Sequence, residues 1–530
     1  MLERCGIVIV LLAGFLAAVG SCANVAGKNA GSGGETQPAA RSTPEEGPSP
    51  RGAKITLKET SLGNMESLIS PMMVISPDAR HVVWYETRGV SIVTVRDGKE
   101  GLTHENVSSG GNPVFSPDSQ HLVYIAFRAQ REFVVKDDNE GKAYFNIARD
   151  SLKFSPDSKR IAYAAKTADE KWIIVVNGAE QKQYDAVTTP VFSPDSNRLA
   201  YLGRSGGKWV LVVDGVEGKQ YDDVDSTPLF SPDSKRVAFV GFRDEKYCLV
   251  VDGVEGKFYN VIKAGTITFS PDSSRIAYHA RAGGESVVVV DEKESKQYDD
   301  VGGIVFSPDS KRLAYWGWNG GEKPVNVVVV DGVEGKPHET SGTPLFSPDS
   351  KHYMCIVQDG QKFTMVADGA EGKQYDQIPE ISMSFSPDSQ RMAYTAESGG
   401  KWAVVTNGIE GKWYDLVSDT PVFSPDSKSA AYTATTKADS KMRVVLNGVE
   451  EKAYDKVAAG TLAFSPDSVH MAYAAQSGGK CVIVMDGVEC GDYTRALQGR
   501  RVARFDSPNK CHFLMLRDKE MLLVDVEITE

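Results

Sequence analysis

An all-β fold, a β-propeller of about twelve four-stranded blades, follows from three observations. One phrase, Phe-Ser-Pro-Asp-Ser in its commonest form, recurs twelve times. Its lead aromatic or stand-in falls at 75, 115, 154, 192, 230, 269, 306, 346, 385, 423, 464 and 505. That step of about 39 residues is close to the roughly 40 to 45 of four-stranded propeller blades. Between copies lie short apolar runs separated by turn residues, the pattern of a meander. Two tandem six-bladed rings or one large ring satisfy the count equally.

The fourth copy, Pro190 to Asp223, shows how each element arises. In Ser193-Pro194-Asp195-Ser196 the proline presets φ for a type I turn, so strand a (Pro190–Phe192) doubles back into strand b (Arg198–Gly203). Gly206-Gly207 opens a second connection, and Lys208–Val213 is a β-rich strand c. Asp214-Gly215-Val216-Glu217-Gly218 turns the chain into strand d, which ends at Tyr221. A single blade leaves two apolar faces, and the recurring Phe is placed to fill the space between neighbours.

The last copy ends without a full strand d. Residues Ala53 to Thr60, with Ile55 and Leu57 alternating against polar neighbours, supply it, so both termini share a blade. The seventh copy is the most irregular, near Glu322 to Pro324 and at Pro337-His338. It sets the expected division: blades 1–6 over 53–299 and blades 7–12 over 300–530.

Ahead of the repeats, Arg4 precedes an apolar run from Gly6 to Val19 that is too short to span a bilayer and fits a removable signal peptide over 1–21. Val19-Gly20-Ser21-Cys22 resembles the bacterial lipoprotein cleavage box, whose cysteine is acylated. The resemblance implies lipidation of Cys22, and Ala23 after it implies delivery to the outer membrane; an ordinary secretory signal cut nearby is the alternative. Residues 22–52, rich in Gly, Ser, Pro, Thr and Ala, are expected to be a disordered tether with a reach of roughly 30 Å.

The 59 basic and 71 acidic residues give a formal charge of −12, which argues against nucleic acid, because such a binder needs a basic stripe. After processing, Cys248, Cys355, Cys481, Cys490 and Cys511 remain, an odd and scattered set that is no disulfide framework, although one pair among the last three is open. His81, His121, His352 and His470 stand six residues after the lead residue, where other copies carry Arg198, Arg236, Arg275 and Arg312. That register marks them as basic stand-ins, and neither a metal nor a cofactor is expected. Gly203-Arg204-Ser205-Gly206-Gly207 matches the GxSxG elbow, but the elbow requires a following helix and a strand follows here.

The phrase FSPDS followed by a basic residue and an Ala-Tyr strand resembles the TolB-like, WD-type propeller repeat of bacterial envelope proteins. The resemblance runs from about residue 70 to 530 in twelve registered copies. It departs from TolB in having about twice the blades and no room for the N-terminal α/β domain.

Two constellations remain as candidate binding residues. Tyr-Asp closes strand d at Asp185, Asp222, Asp299, Asp376, Asp415 and Asp455, a ring of carboxylates able to attract a cation or basic partner or to cap the turn into the next blade. Trp316 and Trp318, two apart, share one strand face, and Trp318 occupies the slot of Arg204; such a pair stacks on sugar, anchors a peptide or packs between blades. The side of the ring bearing the b–c and d–a connections varies most among copies and is the expected functional face. The expectation is a non-catalytic, lipid-anchored scaffold binding an envelope protein or peptide. A polysaccharide-active lyase or hydrolase, or an oligosaccharide-binding propeller, is the alternative.

Overall fold

The computed structural model describes residues 54–64, 73–107, 112–321, 324–418, 420–497 and 502–529. The signal peptide, Cys22, the tether and Glu322 lie outside the described residues. The chain divides into Met1–Ala39 and a second compact unit, Ala40–Glu530, and the account below concerns the second.

Its strands form twelve antiparallel sheets, one per repeat, arranged as a propeller. In blade 4, strand a is Ala186–Val187 and Val191–Phe192, strand b Leu199–Ser205, strand c Lys208–Val213 and strand d Val216–Tyr221. The order across the sheet is a, b, c, d. Strand a is interrupted between Val187 and Val191, where Thr188 Oγ1 accepts the Leu202 N–H at 3.0 Å. Strands a lie innermost, close enough for direct contact: Ser384 Oγ in blade 9 donates to the Pro421 carbonyl beside strand a of blade 10 at 3.2 Å. Strands d are bridged by long side chains instead, as when Lys182 Nζ reaches Glu217 of the next blade at 2.8 Å.

The recurring phrase is a turn and a staple at once. Ser193 Oγ donates to Asp195 Oδ1 at 2.6 Å and accepts the Arg198 N–H at 2.9 Å, so the carboxylate and hydroxyl close the a–b turn. The Asp195 N–H then crosses to Ser234 Oγ of blade 5 at 2.9 Å. The same bond joins Asp78 to Ser119, Asp272 to Ser310 and Asp426 to Ser468. The second Ser reaches back because its backbone is left-handed, φ 65° at Ser196 and 66° at Ser234.

Packing follows the staple. Phe269 of blade 6 is 8% exposed among Ala238, Val240 and Leu249 of blade 5, and the Arg236 guanidinium of blade 5 lies 5.4 Å from its ring centroid. The His stand-ins serve the same slot. His81 and His352 each place Nδ1 2.7 Å from the Asp of their own c–d turn, Asp97 and Asp368, as Arg275 and Arg312 do with Asp291 and Asp331.

Closure uses the N-terminal strand as expected. Lys54–Asn64 pairs antiparallel with Glu520–Thr529 as strand d of blade 12, with Ile55 and Leu62 buried. Blade 12 in turn meets blade 1: Arg80 bonds Asp506 at 2.6 Å and Asp525 at 2.9 Å, and Trp84, Val93 and Val95 cluster with Leu514 and Leu523. The blade 6 to blade 7 seam near residue 300 carries the same staple as the other seams from blade 1 through blade 11. Contact therefore passes from blade 1 through blade 12 and back to blade 1, in a single twelve-bladed succession. None of Cys248, Cys355, Cys481, Cys490 and Cys511 is disulfide-bonded.

Phe269→Ala is expected to destabilise by about 3 to 5 kcal/mol through the cavity it leaves, read as a shift in denaturant midpoint. Ser234→Ala removes one crossing hydrogen bond and is expected to cost about 1 kcal/mol without misfolding, since Ala79 holds the same left-handed backbone in blade 1 (φ 59°). An unchanged midpoint in either variant contradicts the seam described here.

Candidate functional site

The Tyr-Asp pairs divide into two roles. Tyr184 is fully buried and meets Tyr201 of the next blade edge-on, with ring centroids 6.1 Å apart. The partner strand must leave room for it: a Cβ built on Gly203 would lie 2.7 Å from the Tyr184 ring. This explains the first glycine of Gly203-Arg204-Ser205-Gly206-Gly207, whose last two residues form the two-residue hairpin turn (φ 57° and 81°). Tyr184 thus fills interblade space alongside the Phe expected there from the sequence. The signal for Tyr was present in the small residue that recurs at the register of Gly203, as Ala165, Gly241, Ala280 and Gly317.

The aspartates sit at the surface and tie seams together. Asp185 accepts Lys171 Nζ at 2.5 Å and the Gly206 N–H of the next blade at 3.0 Å. Asp376 accepts Lys362 at 2.5 Å and Gly399 N–H at 2.8 Å, and Asp415 accepts Lys401 at 2.5 Å and Lys437 N–H at 2.6 Å. Asp222 pairs with Lys208, and Asp455 with Lys441 and the Gly478 N–H. In all five the lysine hydrogen bond holds the carboxyl below its usual range. Asp299 differs: Glu285 stands where the lysine would be, and its carboxylate accepts the Gly320 N–H at 2.6 Å.

Trp316 and Trp318 lie on strand b of blade 7, Leu313–Asn319, both half-buried. They share the sheet face of Ala314, which packs against Phe346 and Cys355 of blade 8. Trp316 covers the double glycine of strand a, where a Cβ on Gly302 would lie 2.4 Å from its ring. Trp318 leans over Gly320 beside Asp299. Arg204 is exposed three blades away and is not brought to them.

Two features were not singled out from sequence. His279 of strand b in blade 6 is 1% exposed, and neither ring nitrogen has a hydrogen-bond partner. Its nearest carboxylate is Asp300, with Oδ1 3.8 Å from Nε2 and held at 3.0 Å by Lys263. Burial first, and then the Lys263 charge, push its pKa down to about 4. The second feature is a recess of about 680 Å³ along the inner strands of blades 9 to 12, lined by Pro379, Ile381, Trp402, Leu416, Pro421 and Leu462 among others. Ile381 is 75% exposed and Leu416 46%. Two of the hydroxyls there are engaged by backbone: Thr420 donates to the Ile381 carbonyl at 2.9 Å and Ser382 to the Pro379 carbonyl at 2.7 Å. The recess therefore offers a mainly apolar surface. Among the described residues no group of three or more His, Cys, Asp or Glu is placed to hold a metal.

No protein-family model matches the chain, and no curated protein sequence matches it. Solved structures similar to it include a eukaryotic initiation factor, at 13% identity and TM-score 0.34, covering 60% of this chain and 91% of that one. TolB from Acinetobacter baumannii is similar at 15% identity and TM-score 0.22, covering 47% and 77%. Kuenenia stuttgartiensis hydrazine synthase is similar at 14% identity and TM-score 0.23, covering 49% and 95%. The fold assignment rests on the twelve sheets themselves.

The lowered His279 pKa carries a sign. The unfolded chain takes up a proton at about 6.5 while the folded chain resists until about 4, so stability falls as pH drops through that window. His279→Val, the residue at 240 in blade 5, is expected to raise the melting temperature and flatten its dependence between pH 6.5 and 4. A variant whose pH profile superimposes on that of the parent contradicts the assignment.

Proposed function

We propose that the protein is a non-catalytic, lipid-anchored β-propeller scaffold of the bacterial cell envelope that binds a protein or peptide segment in the inner recess of blades 9 to 12. The observation that carries this reading is the recess itself. Its volume lies within the ~300 to 1,000 Å³ of ordinary ligand sites, and its lining is mostly apolar, with Ile381 and Leu416 exposed and the Thr420 and Ser382 hydroxyls engaged by backbone carbonyls. A segment presenting aliphatic or aromatic side chains suits such a surface, whereas a sugar needs hydrogen-bonding groups. The envelope location and lipid anchor are supported by the signal-like run before Cys22 and by the resemblance of Val19-Gly20-Ser21-Cys22 to a lipoprotein box.

The oligosaccharide reading draws on Trp318 beside Asp299. Here one tryptophan is half-buried against Gly320, just past the end of its own strand, a smaller platform than the recess.

A photo-crosslinking residue placed at Ile381 in the whole chain, expressed in envelope, is expected to give a discrete protein adduct, and the same residue at Arg204 is not. Adducts that are identical at both positions, or absent from Ile381, contradict the recess as the binding site. Trp318→Ala is expected to leave the adduct unchanged; its loss, with oligosaccharide retained by the parent chain, transfers the site to blade 7.

A further inference from the structure

The seam between blades 1 and 2 departs from the other seams at two facing positions. Thr94 lies on strand c of blade 1, opposite Tyr85 of strand b. At that register the other eleven blades carry Val, Ile, Leu or Met, as at Val134, Leu211, Val288 and Met365, and the slot packs against the following blade. Thr94 is buried to the same degree, 3% exposed, and its Oγ1 has no hydrogen-bond partner. A hydroxyl in a core slot without a partner is a cost that the other blades avoid.

The second departure is the c–d turn of blade 2. Glycine follows the turn Asp or Asn in nine of eleven such turns, whereas blade 2 has Asp137-Asp138, with Asp138 left-handed at φ 61°. Its carboxylate lies over Gly101 of blade 1: a Cβ built on Gly101 would be 2.5 Å from Asp138 Oδ1 and 3.3 Å from the Thr94 carbonyl. Thr94, Tyr124 and Asp138 line one groove of about 350 Å³. Burial pushes the Tyr124 hydroxyl up to about 12, the Thr94 hydroxyl opposes that shift and the Asp138 charge adds to it, so the three are close neighbours. The other carboxylates of the groove are committed. Asp97 and Asp137 each meet a His Nδ1 at 2.7 Å and accept a backbone N–H at 2.9 Å, and Glu100 pairs with Arg88 at 2.6 Å. Arg96 is bound to the Ser119 and Gln120 carbonyls. Asp138 forms neither a hydrogen bond nor an ion pair among the described residues. Blade 6 supplies a contrast: Glu292 also replaces the turn glycine and packs on Gly256, but the slot facing it is Leu249.

We infer that the groove between blades 1 and 2 binds a primary ammonium group, whose charge meets the Asp138 carboxylate and whose N–H donors meet that carboxylate and the Thr94 hydroxyl and carbonyl. An ammonium has three donors and one charge, which matches one uncommitted carboxylate beside two neutral oxygens. It also gives the buried Thr94 hydroxyl the partner it lacks. The groove volume lies at the low end of ordinary ligand sites, ~300 to 1,000 Å³, enough for an alkyl chain behind the ammonium. A lysine side chain of a peptide and a free alkyl diamine share this chemistry. The site stands apart from the inner recess and does not depend on it.

The test uses the full chain with two probes, 1,5-diaminopentane and Nα-acetyl-lysine methylamide, and reads binding by saturation-transfer NMR of the probe. Both are expected to give a signal, and 1-pentanol, which lacks the ammonium, none; the tighter of the two probes assigns the source as diamine or peptide. Thr94→Val and Asp138→Gly are each expected to weaken binding about tenfold or more, through the loss of a hydrogen bond to a charged group. Each installs the residue that other blades carry, so both are expected to melt no lower than the parent, and lost binding is then not lost fold. Glu292→Gly is expected to change nothing. Lys99, the exposed cation at the edge of the groove, competes for Asp138, so Lys99→Ser is expected to bind the probes at least as well as the parent. No signal from the parent chain, an undiminished signal in Thr94→Val or Asp138→Gly, an equal signal from 1-pentanol, or displacement of the probes by equimolar calcium chloride overturns the inference.

Discussion

A backbone N–H of one blade and a buried serine hydroxyl of the next set the geometry on which the ring depends. Asp233 donates to Ser273 Oγ, and Ser273 is 3% exposed, so the hydroxyl has exchanged water for this one partner. Leaving such a group unpaired costs about 1 to 3 kcal/mol, which makes the relative placement of two blades a sharp minimum rather than a sliding contact. The left-handed serine, the turn aspartate and the crossing bond are a single device. Once it is set, arginine reaches over the neighbour's Phe, and the tyrosine ending strand d enters beside the next strand b.

Where the device is interrupted, another interaction takes over. Blade 1 has Ala79 at the position of the receiving serine, so the seam arriving from blade 12 has no hydroxyl to use. There Arg80 spans to both Asp506 and Asp525, and the His512 ring lies 3.0 Å from the Asp78 carbonyl. The N-terminal strand is tied in by the same means, Glu59 accepting both Arg517 nitrogens at 2.5 and 2.6 Å and the Tyr493 hydroxyl at 2.9 Å. A seam joining residues more than 400 positions apart closes the largest loop in the chain. Directional ion pairs hold that seam at a few defined points.

The blade was legible because its determinants are local: the proline-set turn, the Gly206-Gly207 hairpin and the Asp-Gly turn each act within a few residues, and their repetition gave the register. Closure by Ile55 and Leu57 was legible for the same reason, as alternation in a strand that lacked a partner. The roles of side chains that cross seams were less so. The six aspartates were visible as a ring, but the partners of Asp376 are a lysine fourteen residues earlier in its own blade and a backbone N–H twenty-three residues later in the next, a pairing that exists only after stacking. Tyr184 was masked because its Asp neighbour drew attention to charge, while its complement, the missing Cβ of Gly203, is an absence. The inner recess was beyond reach, since it is shared among four blades and no single copy contains it.

The same bookkeeping narrows where function sits. Along the outer rim, Lys142 to Glu180, Lys182 to Glu217 and onward to Lys452 with Glu489, each strand d passes a lysine to the glutamate of the next. The turn aspartates are held by serines and arginines, and most of the Tyr-Asp carboxylates by lysines. A chain with a net charge of −12 thus commits much of its charge to its own lattice, where exposed pairs contribute little energy each but fix register around the ring. A partner attracted simply by acidity would compete with those lattice bonds at every blade. Groups outside the lattice carry no such cost, as at the apolar lining of Ile381 and Leu416. Recognition by this propeller is accordingly expected to depend on where apolar surface has been left uncovered inside the ring, more than on its abundant charge.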